Sequence, residues 1–151
     1  MATRVLEGGE RLQRHLAEIA RKLGRGGTLK VGFLSGSVYP DGTSVAMVAA
    51  IHNFGAPSRN IPPRSFFSNM IARHSGEWPS EIRTQLKSTG YDAVVTMNRM
   101  GALITGQLQQ SIRDTNEPPL RPATIRRKGF DKPLIDTSLM NDSATFEYNE
   151  R

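Results

Sequence analysis

The sequence predicts an α+β fold in one domain, a small antiparallel or mixed sheet packed against several helices. Apolar residues recur at three- and four-residue spacing over residues 10–23 and again over 94–112, which is the period of an amphipathic helix. Residues 29–34 and 144–148 instead alternate apolar with polar side chains, the period of a strand with one buried face. The chain of 151 residues has the length of one ordinary domain and can bury a working core without disulfide or metal help. No internal repeat, low-complexity tract or linker divides it, so residues 1–151 are read as a single unit.

The first helix carries Leu12, Leu16, Ile19, Ala20 and Leu23 on one face, and Gly24, Gly26 and Gly27 end it. Leu29, Val31 and Phe33 then alternate with Lys30 and Gly32 as a strand, and residues 35–42 supply turn-forming side chains. Thr43 or Ser44 caps a short, mostly buried helix through Phe54, in which Val45, Val48 and Ile51 share a face and Gly55 is the terminator. Pro57, Pro62 and Pro63 each lack an N–H and restrict the residue before them, so residues 56–63 are expected to be an extended connector.

Phe66, Met70, His74, Trp78, Ile82 and Leu86 follow at four-residue steps, a helix that Gly76 and Pro79 should kink or break near Trp78. Asp92 caps the clearest helix, with a stripe of Val94, Met97, Gly101, Ile104, Leu108 and Ile112. Gly101 on that stripe predicts close approach of a neighbouring element, because glycine otherwise costs a helix about 1 kcal/mol. Residues 115–132 contain Pro118, Pro119, Pro122 and Gly129, and read as a long surface excursion with at most one helical turn around 123–127. Asp136 or Thr137 is expected to cap a turn through Asn141, after which Ala144, Phe146 and Tyr148 form a last strand. The two strands, unstable alone, are expected to share one sheet.

Composition narrows the function classes. The absence of cysteine removes disulfides, thiolate nucleophiles and cysteine-ligated zinc. Residues 1–9 lack the apolar core of a signal peptide, and no run approaches the roughly 18 apolar residues of a membrane span, so a soluble, unexported protein is expected. A net charge of +6 permits contact with nucleic acid or an acidic protein surface. The basic residues are nevertheless dispersed, dense only at 21–25 and 126–128, and no aromatics alternate with them as on a single-strand platform. A solvated face is the plainer reading of such short runs.

His15, His52 and His74 have no metal-ligand spacing, no Gly-x-Ser-x-Gly occurs, and residues 32–36 do not form a phosphate loop. Asp131 and Asp136 make a carboxylate pair with nothing distinctive around it. The expectation is a protein with no catalytic residues, cofactor or metal.

Several separated blocks together resemble the phage tail-component family, whose members act as tail-completion or neck proteins. They are Val31-Gly32-Phe33, Tyr39-Pro40-Asp41-Gly42-Thr43-Ser44-Val45-Ala46, Ile51-His52-Asn53-Phe54-Gly55-Ala56-Pro57 and Ile61-Pro62-Pro63-Arg64-Ser65-Phe66-Phe67. Further on come residues 106–112, Pro118-Pro119-Leu120, Pro122-Ala123-Thr124-Ile125 and Pro133-Leu134-Ile135-Asp136-Thr137. In the family, Glu more often stands at the position of Asn53, Ala and Pro at those of Pro63 and Ser65, and Gly at that of Ser138.

The resemblance implies a structural virion protein, assembled in the host cytoplasm, that completes the tail or neck at the head-tail junction. It would form a homo-oligomeric, hexameric ring that touches the head connector and the tail terminator or tube, with passing contact to DNA and no membrane. A chain without a catalytic cluster and with proline-bounded loops suits work by surface presentation. The expected contacts are Ile61, Pro62, Arg64 and Phe67, with Pro62 and Pro63 holding the segment extended and Arg64 offering a bidentate donor beside two rings. The competing reading has Phe66 and Phe67 simply opening the next helix, one ring buried. The second contact region is residues 115–132, expected to be mobile in the free subunit and ordered on assembly through Arg121, Arg126, Arg127 and Lys128. A basic nucleic-acid-binding protein using Arg126, Arg127 and Lys128 is the alternative.

Overall fold

The computed structural model describes residues 3–128 and 138–151, with side chains placed from residue 9 to 127 and from 138 onward. Helix α1 (Thr3–Leu23) leads into strand β1 (Gly27–Phe33), and helix α2 (Val45–Phe54) is followed by a 3-10 turn at Pro57–Arg59. Helices α3 (Phe66–His74), α4 (Trp78–Ser88), α5 (Ala93–Asp114), α6 (Pro122–Lys128) and α7 (Leu139–Asp142) come next, and strand β2 (Ala144–Glu150) closes the chain. The α+β class therefore stands, with a two-stranded antiparallel sheet packed on α5.

The two ends of the chain pair as their alternation predicts. Val31 lies opposite Phe146 and Leu29 opposite Tyr148, so their apolar side chains share one face of the sheet. Lys30 opposite Glu147 occupies the other face, where unlike charges sit side by side in solvent. A two-stranded sheet is marginal by itself, and α5 supplies the surface that stabilises it. Met100, Ile104, Leu108 and Ile112 of α5 are buried with Val45, Ala49, Phe66, Met70, Met140 and Ala144. Each fully buried large side chain contributes about 1.5–3 kcal/mol, so this cluster dominates the fold.

Gly101 is where helix and sheet touch. A Cβ placed there would overlap the ring of Phe146, so glycine is the residue that lets β2 lie flat on α5. The expected close approach is found, and its partner is the last strand.

The stripe of α5 differs from expectation in its first half. Ala93, Thr96 and Met100 are buried there, whereas Val94 and Met97 are only partly covered. The tight α4–α5 turn explains it: Thr89 Oγ1 lies 2.9 Å from Thr96 Oγ1, which satisfies a fully buried hydroxyl and rotates the packed face toward α4. The break near Trp78 occurs as predicted, with α3 ending at His74 and α4 starting at Trp78 ahead of Pro79. Trp78 Nε1 donates to Gln107 Oε1 at 2.9 Å and ties the new helix to α5.

Other expectations need correction. Helix α1 starts at Thr3, seven residues before the predicted start at residue 10, because Gly8 and Gly9 do not interrupt it. Helix α2 is capped by Ser44, whose Oγ accepts the Met47 N–H, but it is half-buried rather than mostly buried. Its inward face is Val45, Ala49 and Asn53, and Phe54 stands 74 % exposed. Residues 56–63 are not extended: Ala56 and Ile61 exchange backbone hydrogen bonds of 2.9 and 3.1 Å around the 3-10 turn, closing a small loop. The excursion at 115–132 holds two turns of helix, α6, where one was expected, since Pro122 occupies the first helical position that tolerates it. The proposed caps Asp136 and Thr137 lie outside the described residues.

Candidate assembly surface

The surface is built on the passage from α2 to α3. Gly55 ends α2 with φ 76° and ψ 173°, a positive-φ conformation that side chains disfavour, and a Cβ there would come within 2.8 Å of Pro63 N. Both facts require glycine, and the sharp exit sends the chain into the closed loop that Ala56 and Ile61 seal. The chain returns beside α2, where Arg64 N donates to His52 O at 2.7 Å and Ser65 Oγ to Asn53 O at 3.1 Å.

Asn53 is the centre of this unit. It is buried on α2, yet its Oδ1 accepts the N–H groups of Phe67 at 3.0 Å and Ser68 at 3.1 Å, while Nδ2 donates to Ser68 Oγ at 2.9 Å. These N–H groups belong to the first turn of α3 and have no intrahelical partner. A side chain from one helix thus caps the next, and the blocks at 51–57 and 61–67 fold as one piece. A carboxylate at this position, as in the family the sequence resembles, would accept the same bonds and suit the positive end of the helix dipole.

Arg64 does not present its guanidinium to solvent as the sequence suggested. It is 7 % exposed, and Nε donates to Pro118 O at 3.1 Å. Among the described residues no carboxylate pairs with it, and burial pulls its pKa below the ordinary arginine value. The reason for the inward turn is geometric: with the chain folded back on α2, position 64 faces the body, and the exit of α5 supplies a carbonyl in reach. Arg64 therefore joins the two segments singled out from the sequence, 61–67 and 115–132, instead of serving as an outward donor.

The remaining candidates divide. Ile61 is half-buried where the loop closes on Ala56, and Pro62 just after it is exposed. Phe67 packs against the core, edge-on to Phe66 with ring centroids 6.3 Å apart, and near Gly32, so its ring is partly structural. Arg121, Arg126 and Arg127 are exposed on and beside α6 with no ion-pair partner among the described residues. The side chain of Lys128 and the carboxylates Asp131 and Asp136 lie outside the described residues. The histidines are dispersed, and no group of three or more His, Asp or Glu side chains among the described residues is placed to hold a metal ion.

Two apolar surfaces stand open, of which only the second, the stripe of α1, is foreshadowed by the sequence. An open groove of about 240 Å³ runs beside α2, floored by Ala46, Ala49 and Ala50 and walled by Phe33, Phe54 and Phe67. Phe54 falls off the Val45–Val48–Ile51 stripe, and that mismatch was the available signal. The second feature is the stripe of α1, where Leu12, Leu16 and Leu23 are 58, 54 and 40 % exposed. Periodicity reveals such a stripe but not whether the same chain covers it.

No described helix is long and apolar enough to cross a membrane. Compared with protein-family models, with curated proteins and with solved structures, the chain finds no significant match.

Proposed function

We propose that this chain is a non-enzymatic structural protein of a tailed bacteriophage, a ring subunit that completes the tail or neck at the head-tail junction. The observation that carries the reading is the unit around Asn53. The blocks at 51–57 and 61–67, which bear the resemblance, form one capped structure, and Arg64 ties it to the block at Pro118. A short proline-rich loop held rigid on a helical body presents a fixed surface to a neighbour at low entropic cost. Ile61 and Pro62 at the loop, and Arg121, Arg126, Arg127 and Lys128 beyond Pro118, are its contact residues toward the connector, the tail terminator or the next subunit. The ring is hexameric in this reading.

Exposed Arg121, Arg126 and Arg127 also favour a second reading, a basic nucleic-acid-binding protein. The two separate on salt: duplex-DNA affinity should fall steeply with ionic strength if the second holds. For the first, removing the gene from a phage that carries it should leave full heads and finished tails unjoined. Normal virions from such a deletion would refute the assembly role.

A further inference from the structure

We propose that Arg64 forms a recessed binding site for a carboxylate, carried by an acidic side chain of another protein or by a free carboxylic acid; the site does not rest on the assembly role. Arg64 is 7 % exposed, and its Nε is spent on Pro118 O at 3.1 Å. The N–H donors of Nη1 and Nη2 meet no acceptor among the described residues, yet these nitrogens are not sealed from solvent. A guanidinium largely withdrawn from water loses hydration that one neutral carbonyl replaces only in part. Arg64 is thus a recessed charge whose counter-charge the described chain does not supply.

The acidic residues just before Pro118 do not fill that role. Asp114 and Glu117 are exposed, Asp114 accepts from Gln110 Nε2 at 2.8 Å, and neither pairs with Arg64. The donor itself is held in place by its own chain. Arg64 N donates to His52 O at 2.7 Å, Phe66 N donates to Arg64 O at 2.7 Å, and the bond from Nε fixes the plane of the guanidinium. A donor ordered in advance gives up little rotamer freedom on binding, which separates Arg64 from the exposed Arg126 and Arg127 of α6.

The open donors select the class of ligand. With Nε occupied, what remains is the end of the fork, a pair of parallel N–H groups that matches the two oxygens of one carboxylate in charge-assisted bonds. A phosphate group would carry more charge out of water and bring further oxygens for which this residue has no donors left. A nucleic-acid backbone runs along a surface, where exposed cations such as Arg121, Arg126 and Arg127 meet it, whereas a guanidinium at 7 % exposure is reached by a protruding group. The net charge of +6 favours the approach of an anion.

The test is an NMR titration of the isotope-labelled full chain at about pH 6, where acetate is ionised, with sodium acetate replacing sodium chloride at constant ionic strength. The Arg64 Nε–H and the backbone amides of residues 64–68 should shift and saturate, with half-saturation on the order of 10 mM, while the Nε–H signals of Arg126 and Arg127 drift without saturating. Arg64→Met should lose the saturable amide shifts, and Arg64→Lys, which keeps the charge but not the paired donors, should raise half-saturation about tenfold or more. A blocked peptide with one glutamate that binds at least as tightly as acetate assigns the ligand to an acidic side chain, and binding of acetate alone assigns it to a free acid; either supports the site. Absence of saturation in the wild type overturns the proposal, as does an equal saturable shift in Arg64→Met. Saturation by inorganic phosphate but not by acetate overturns the carboxylate assignment. The phage deletion bears on the assembly role alone, so the two readings fail separately.

Discussion

Asn53 and Phe67 are joined by a 3.0 Å hydrogen bond from the first turn of α3 to a side chain on α2, so one helix is capped by another. Removing that cap leaves the Phe67 and Ser68 N–H groups without their acceptor. Asn53→Leu should therefore destabilise the chain by about 2–3 kcal/mol, the sum of a lost cap and an unsatisfied partner. Asn53→Asp keeps both acceptor bonds, and the Ser68 hydroxyl can turn to donate, so it should stay within about 1 kcal/mol of the parent. Urea midpoints at constant m-value measure both, and equal losses would show that Asn53 acts through packing alone.

A second prediction concerns the contact between Gly101 and Phe146. Alanine in place of glycine in a helix ordinarily gains about 1 kcal/mol. Here the new methyl meets the Phe146 ring, and Gly101→Ala should instead lose about 1–3 kcal/mol. Combining it with Phe146→Leu should cost less than the sum of the two single changes, because the smaller side chain relieves the overlap. Strict additivity in thermal or urea unfolding would contradict the packing described.

Arg64 gives a prediction in which global and local stability part. Its charge is buried without a carboxylate among the described residues, so Arg64→Met, which keeps the apolar stem, should change global stability by less than about 1 kcal/mol. The bond to Pro118 is lost at the same time, and the segment carrying Arg121, Arg126 and Arg127 should be cut several-fold faster by trypsin under native conditions. Unchanged cleavage would mean that Arg64 does not hold the segment.

Ser138 adopts φ 62° at the start of α7, where a side chain is disfavoured. In the family that the sequence resembles, Gly more often stands at this position. Ser138→Gly should raise stability by about 0.5–1 kcal/mol, the relief of the left-handed strain exceeding the entropy gained by the unfolded chain. A fall in the urea midpoint would remove strain as the explanation.

Much of this architecture was legible before the structure, and for physical reasons. The strand pair, the capped start of α5, the break before Trp78 and the close contact at Gly101 all follow from local period or from the conformational needs of one residue. What was not legible depends on distant chain segments. Arg64 looks like an outward donor in sequence, and only the return of residues 61–67 against α2 brings it to Pro118. Thr96 displaces Val94 from the buried face because Thr89 meets it across a turn. Asn53 is indistinguishable from an ordinary helix-end residue until α3 is seen to begin at its side chain. The candidate surface shares this character, since Phe54 and the α1 leucines satisfy their own helices and become informative only when nothing in the described chain covers them.

The proposed role requires this chain to be built into the virion where tail meets head. Cryo-electron microscopy of virions from a phage carrying the gene tests it most directly. Density for this fold should form a closed ring between connector and tail tube, with the segment bearing Ile61 and Pro62 against a neighbouring subunit. Virions whose fully traced neck and tail contain no copy of the chain would contradict it.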